Sequence, residues 1–334
     1  MKKDITLQKI IELAKQGKTQ DEIANEFPGC SAHVHYLIMR EWRRANGLIR
    51  QRKGSKPKLT VSKQPIPEVK KVPGQLRHKF FETALRCVLA RTASGLTVPN
   101  WWFGAPGAGK TKLGSQIAEA IGVPFYPLSC GPTTTEGRLL GYRNLATGDF
   151  VPGHIYKPFK DGGVCLIDEA DVADPGVLVA CNSISANDAY MFPNGEYVPR
   201  HKDFYLVATA NTVGTGAANG FTRNKLDAAT LDRFAMIKLE YDETMEAHLS
   251  GNREWCEYVW KVRKFVEKSS DKAFYVTPRA SMNGAAMLAQ GLPAKFVVEC
   301  VILNKASKTL AETIVSNCGM FEDKSQNTVA QPVI

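Results

Sequence analysis

With 334 residues, 44% of them hydrophobic and 23% charged, the chain has the composition of an ordinary globular protein and the length for two or three domains. No stretch approaches the roughly 20 apolar residues of a membrane span, and no signal peptide is expected after Met1-Lys2-Lys3-Asp4. Eight scattered cysteines, none in a Cys-x-x-Cys pair, argue against a disulfide framework or a zinc site and for a reducing cytoplasm.

The net charge of +10 is unevenly placed. Residues 1–75 hold 16 Lys or Arg against 7 Asp or Glu, and the rest of the chain 27 against 26. The excess points to an anionic partner for the first segment, most simply nucleic acid, with a solvated basic tail as the alternative. Residues 1–50 read as three short helices. Ile5, Ile10, Ile11 and Leu13 form an apolar stripe that stops before Gly17. Thr19 and Glu22 form a capping box ahead of Ile23, Ala24 and Phe27. Ser31 caps a third helix that turns Val34, Leu37, Ile38 and Trp42 inward. This is a helix-turn-helix pattern, although tri-helical bundles also bind proteins. On the DNA reading, His33, His35 and Tyr36 face a groove while Arg40, Arg43 and Arg44 meet phosphates. The segment Gly17–Ala24 resembles the opening of many bacterial and phage helix-turn-helix domains. Residues 51–74, with four prolines among lysines and serines, read as a flexible basic linker.

Residues 75–240 alternate apolar runs with helical stretches, the pattern of a parallel α/β sheet with helices on both faces. Expected strands are Asn100–Phe103, Phe125–Ser129, Val164–Ile167, Phe204–Ala208 and Ala235–Leu239. After the first comes Gly104-Ala105-Pro106-Gly107-Ala108-Gly109-Lys110-Thr111, which fits G-x-x-x-x-G-K-[ST] throughout. Glycines let successive N–H groups turn toward one point, and the helix that follows adds its partial positive charge there. Lys110 then reaches the phosphates of ATP, and the Thr111 hydroxyl ligates Mg2+. The third strand ends in Asp168-Glu169. Asp168 is placed to hold the magnesium, and Glu169 to polarise a water for attack on the γ-phosphate. Asp171 is expected as a local helix cap or a surface acid. Asn211, at the end of the fourth strand, is placed to hydrogen-bond the attacking water or the γ-phosphate. Residues 241–334 read as a helical subdomain.

These motifs, with Ala208–Gly214 and Leu226–Phe234, make the chain resemble an AAA+ ATPase over about residues 75–300. Within that class it resembles the MoxR and cobaltochelatase small-subunit group, allied to dynein-type modules. The resemblance implies a ring, usually a hexamer, with ATP at each subunit interface. It makes Arg233 the candidate arginine finger and Arg223 a second one; the alternative for Arg233 is a structural pairing with Asp232 or Asp227. It makes Arg279, in the first turn of a helix capped by Thr277 with Pro278 next, the second sensor. It also implies two hairpins that face substrate, at Gly141–Gly153 and at Ala189–Asp203 around Asn194-Gly195, where Tyr142 and Phe150 either grip substrate or anchor packing.

The function expected from all this is a ring-forming motor or remodeller recruited to DNA by its N-terminal domain. The alternatives are an ATP-controlled, DNA-bound adaptor, and a MoxR-like chaperone or chelatase motor subunit working with a separate protein partner.

Overall fold

The computed structural model describes residues 2–27, 38, 40, 42, 76–216, 223–269, 271 and 274–322. Contacts divide the chain into two units, Met1–Gln64 and Pro65–Ile334.

In the first unit, α1 (Lys2–Lys15) ends ahead of Gly17, and α2 (Gln20–Asn25) follows. The expected capping box is formed: Thr19 Oγ1 accepts from the Glu22 N–H, and the Glu22 carboxylate accepts from the Thr19 N–H at 2.7 Å. Ile10, Leu13, Ala14, Ile23 and Ile38 are buried together, and Trp42 packs on them. The Trp42 indole also donates to the Lys18 carbonyl at 2.9 Å, tying its helical turn to the α1–α2 corner. Of the six residues expected to meet DNA, Arg40 is helical and half-buried. His33, His35, Tyr36, Arg43 and Arg44 lie outside the described residues, as does the linker.

In the second unit, α3 (Phe81–Leu89) leads into β1 (Asn100–Phe103) and α4 (Lys110–Ile121). Next come β2 (Phe125–Ser129), α5 (Glu136–Leu140), the hairpin β3 (Gly141–Arg143) and β4 (Phe150–Pro152), and α6 (Tyr156–Asp161). They are followed by β5 (Gly163–Asp168), α7 (Pro175–Ala186), the hairpin β6 (Ala189–Met191) and β7 (Tyr197–Pro199), β8 (Phe204–Ala210), α8 (Ala228–Leu231) and β9 (Ala235–Lys238). Five strands form one parallel sheet in the order β2-β5-β8-β1-β9, with β2 and β9 at its edges. All five expected strands are present; β5 and β8 run slightly further than their apolar runs, because polar Asp168 and Thr209 continue their ladders.

The two sheet faces bury different sets, as side chains alternate along a strand. Val164, Leu166, Tyr205 and Val207 pack under α3 and α4. Cys165, Ile167, Leu206 and Ala208 pack against Phe159 of α6 and Leu178 and Ile184 of α7. Continuing the first set by one step places Asp168 and Thr209 on the α4 face, beside the loop that opens that helix.

The helices α9 (Glu243–Ser250), α10 (Arg253–Lys268), α11 (Pro278–Ala289), α12 (Ala294–Val301) and α13 (Lys308–Cys318) complete the unit. They share a core around Trp255, Val259, Val262, Val297 and Ile314. Side-chain caps at Asp242, Asn252, Thr277 and Ser307 fix four of the five starts.

Candidate nucleotide site

The loop between β1 and α4 is held close to its neighbours. The Gly104 N–H donates to the Ala210 carbonyl at 3.3 Å, and a Cβ at Gly104 would lie 2.1 Å from the Leu239 carbonyl oxygen. Only glycine fits there. Gly109 caps α4 in a left-handed conformation, φ 75°, which turns the N–H groups of the first turn toward the pocket. Pro106, Gly107, Ala108, Gly109, Lys110 and Thr111 form one wall of a cavity of about 250 Å³. Asp168, Glu169, Asn211, Arg279 and Met282 line the rest. Segments far apart in the chain thus converge on one volume.

Lys110 is largely buried, and its ammonium donates to the Gly104 and Ala105 carbonyls (2.8 and 3.2 Å) and to Asn211 Oδ1 (3.0 Å). Burial brings its pKa down to about 8, against the opposing pull of Asp168, Asp171 and Glu169. The Thr111 hydroxyl donates to Asp168 Oδ2 at 2.6 Å, while Asp168 Oδ1 accepts from the Thr209 hydroxyl and from the Glu169 N–H (3.0 Å). A hydroxyl and a carboxylate side by side on the cavity wall are the oxygen donors a hard divalent cation takes. Glu169 is exposed, and among the described residues it is the one non-glycine with positive φ, 52°. Its neighbours hold an uncommon backbone state that sets the carboxylate at the cavity.

Asp171 differs from its expectation as a cap or surface acid. It is fully buried, in a 3-10 turn (Ala170–Val172) behind the site. Its Oδ2 accepts from the Asn211 and Thr212 N–H groups (3.2 and 3.0 Å) and the Thr212 hydroxyl (2.9 Å), and Arg223 Nε lies 3.2 Å away. The donors gathered at Oδ2 offset part of the cost of taking this carboxylate out of water. The same pairing engages Arg223 within its own chain, which speaks against it as a donated finger. Arg233, by contrast, is exposed just after α8, and its guanidinium donates to the Ala229 carbonyl. Among the described residues it forms no ion pair with Asp227 or Asp232; Asp227 instead caps α8.

Arg279 projects from the first turn of α11, and Thr277 caps that helix by accepting from the Arg279 N–H. Both expected hairpins are present, paired Gly141 to Pro152 and Ala189 to Pro199. Arg143 Nη2 donates to the Asn194 carbonyl (3.2 Å) and links them. Tyr142 is half-exposed, while Phe150 packs edge-on against Tyr156, so the two aromatics separate into a surface and a packing role. Three residues near the site went unremarked in the sequence: Thr209, His78 and Tyr241. The His78 ring lies 3.5 Å from where a Gly109 Cβ would be, and burial lowers its pKa although Asp242 pulls the other way. Only Thr209 left a sequence signal, the one aliphatic hydroxyl in a strand of apolar and aromatic residues.

The AAA domain model of the dynein-related subfamily matches residues 103–234, from the end of β1 to the residue before β9. Over these residues the chain is similar to the AAA domains of that subfamily. An uncharacterized protein of Staphylococcus aureus (strain USA300) is 28% identical over 152 residues, 41% of this chain and 54% of that one, so the chain spans about half the length of the curated relatives it matches. Among solved structures, a Thermotoga maritima RuvB mutant has a TM-score of 0.43 at 15% identity, covering 74% of this chain and 73% of that one. The T. maritima RuvB Holliday junction branch migration motor gives 0.39 at 15%, covering 74% and 72%. Among the described residues no helix is long and apolar enough to cross a membrane.

Proposed function

We propose that the chain binds Mg-ATP in this cavity and hydrolyses it at the interface between two copies, using the energy to remodel or move along a macromolecular substrate. The observation that carries the reading is the convergence of Lys110, Thr111, Asp168, Glu169, Asn211 and Arg279 on a single volume. Backbone N–H groups of residues 107–111 and the Lys110 ammonium receive the phosphates, exchanging the carbonyl partners of Lys110 for phosphate oxygens. Thr111 and Asp168 would hold magnesium, which when bound neutralises phosphate charge. Glu169 orients and polarises water, Asn211 helps to fix it, and Arg279 draws the helical lid over the nucleotide. Arg233, exposed and in no ion pair among the described residues, is the arginine for a neighbour's γ-phosphate, so assembly into a ring, on the family pattern a hexamer, would gate turnover.

The expected outcome for Glu169→Gln is retained ATP binding with turnover reduced by a factor of about a hundred or more; unaltered turnover refutes its role. Arg233→Ala should be inactive alone and regain activity when mixed with Glu169→Gln subunits, since hybrid interfaces then pair an intact finger with an intact water-binding acid. No regain removes the finger assignment.

The charge excess in residues 1–75 favours recruitment to DNA. DNA should raise ATP turnover, and deletion of residues 1–74 should abolish the increase. If ATP alters the amount of protein bound to labelled duplex while DNA leaves turnover unchanged, the adaptor reading replaces the motor. No shift of duplex at moderate salt leaves the MoxR-like chaperone reading.

A further inference from the structure

Tyr241 stands between β9 and α9, where the sheet passes into the helices. Its hydroxyl donates to the carbonyl of Pro106, inside the phosphate-binding loop, at 3.1 Å. Its ring carries the Arg263 guanidinium 4.4 Å from the centroid. Arg263 is buried, donating through Nη1 and Nη2 to both oxygens of Glu246 (2.9 and 2.6 Å) and through Nε to the Val276 carbonyl (2.7 Å). Glu246 also accepts from the Ser281 hydroxyl. Val276 leads into α11, and Ser281 belongs to it.

A continuous chain of polar contacts therefore runs from Pro106 through Tyr241, Arg263 and Glu246 to the helix that presents Arg279 to the nucleotide cavity. A second contact closes the circuit from the other side. A Cβ on Gly107, φ 79°, would sit 3.2 Å from Pro278 Cδ, so the loop lies within a methyl group's reach of the start of α11. Movement of the loop can therefore reach α11 through the Tyr241 bond and through closer approach of Gly107 to Pro278.

We infer that Tyr241 is a positioning residue that couples the phosphate-binding loop to α11, so that occupation of the loop sets how Arg279 is presented. Two features suit it to the task. The guanidinium on its face is itself immobilised by three hydrogen bonds, so the ring has a fixed seat. Burial raises the phenol to about 12, so the hydroxyl stays a donor across the working pH range. The inference rests on the nucleotide reading of the cavity.

The test is a double-mutant cycle in the full chain, titrating methylanthraniloyl-ADP by fluorescence against wild type, Tyr241→Phe, Arg279→Ala and the double variant. Tyr241→Phe keeps the ring and its cation contact and removes only the bond to Pro106, so the Tm should fall by at most about 4 °C. Affinity should weaken by about tenfold in the wild-type background, the effect of leaving a partly buried acceptor unpaired. In the Arg279→Ala background the same change should cost less than about twofold, because the residue it works through is gone. Unchanged affinity for Tyr241→Phe overturns the coupling while the nucleotide reading stands, and so does an equal loss in both backgrounds. Wild-type protein that binds no methylanthraniloyl-ADP overturns both.

Discussion

Among the described residues, the α/β core and the helical lid each bury one carboxylate almost completely and give it an arginine, Asp171 with Arg223 and Glu246 with Arg263. Asp171 takes two of its three hydrogen bonds from backbone, the N–H groups of Asn211 and Thr212, and the third from the Thr212 hydroxyl, all at the turn where β8 ends. Glu246 spends its bonds on side chains of other helices, Arg263 in α10 and Ser281 in α11. Deep burial of an acid thus serves two ends in one molecule. In the core it holds a loop that must present Asn211 to a cavity; in the lid it locks helices to one another.

The difference can be broken by removing each acid in turn. Glu246→Ala leaves Arg263 charged and buried without its partner, a loss of about 3–5 kcal/mol. The Tm should drop by about 10 °C, with ADP affinity falling alongside because α11 loses its seat. Asp171→Ala also removes the acid beside Arg223, at a smaller cost because that guanidinium is less deeply buried than Arg263, and should act mainly on turnover. Freeing the β8 turn displaces Asn211, and a displacement of about 1 Å costs roughly a hundredfold in rate, while ADP affinity stays within a few-fold. Calorimetry and steady-state kinetics on the two variants decide: equal Tm losses with equal effects on turnover would erase the distinction.

A smaller effect sharpens it from the side of the cavity. Lys110 has a pKa of about 8, lowered by burial from 10.5. The unfolded chain therefore binds more protons between those two values, and this group adds stability as pH rises through that window rather than losing it. Nucleotide affinity runs the opposite way. Phosphate favours charged Lys110, so binding takes up a proton above about pH 8, and affinity should fall there by at most tenfold per pH unit. Lys110→Arg, which keeps its charge, should flatten that decline even if it binds more weakly overall; an unchanged slope would assign the titration to another group.

What the sequence made legible was contiguous or periodic. The Gly104–Thr111 loop is one short segment between a strand and a helix. The five strands are apolar runs, and Asp168 and Asn211 announce themselves by ending them. The burial of Asp171 is not legible because nothing near it in sequence reveals it; its donors arrive from 40 and 41 residues away. Tyr241 was invisible for the same reason, with its hydrogen-bond acceptor 135 residues distant. The aromatics of the first hairpin could not be told apart by type: Phe150 finds Tyr156, and Tyr142 is left half in solvent.

The edges of the parallel sheet bear on how the protein keeps to itself. An open strand edge is a row of unsatisfied hydrogen-bonding groups that invites another chain to add on. At one edge β2 carries Pro127, which has no N–H to offer an incoming strand; at the other β9 has only four residues and ends in Lys238. Neither edge is a good template for a foreign strand. A molecule proposed to work by meeting copies of itself face to face is thereby guarded against meeting them edge to edge, the route that leads to aggregates.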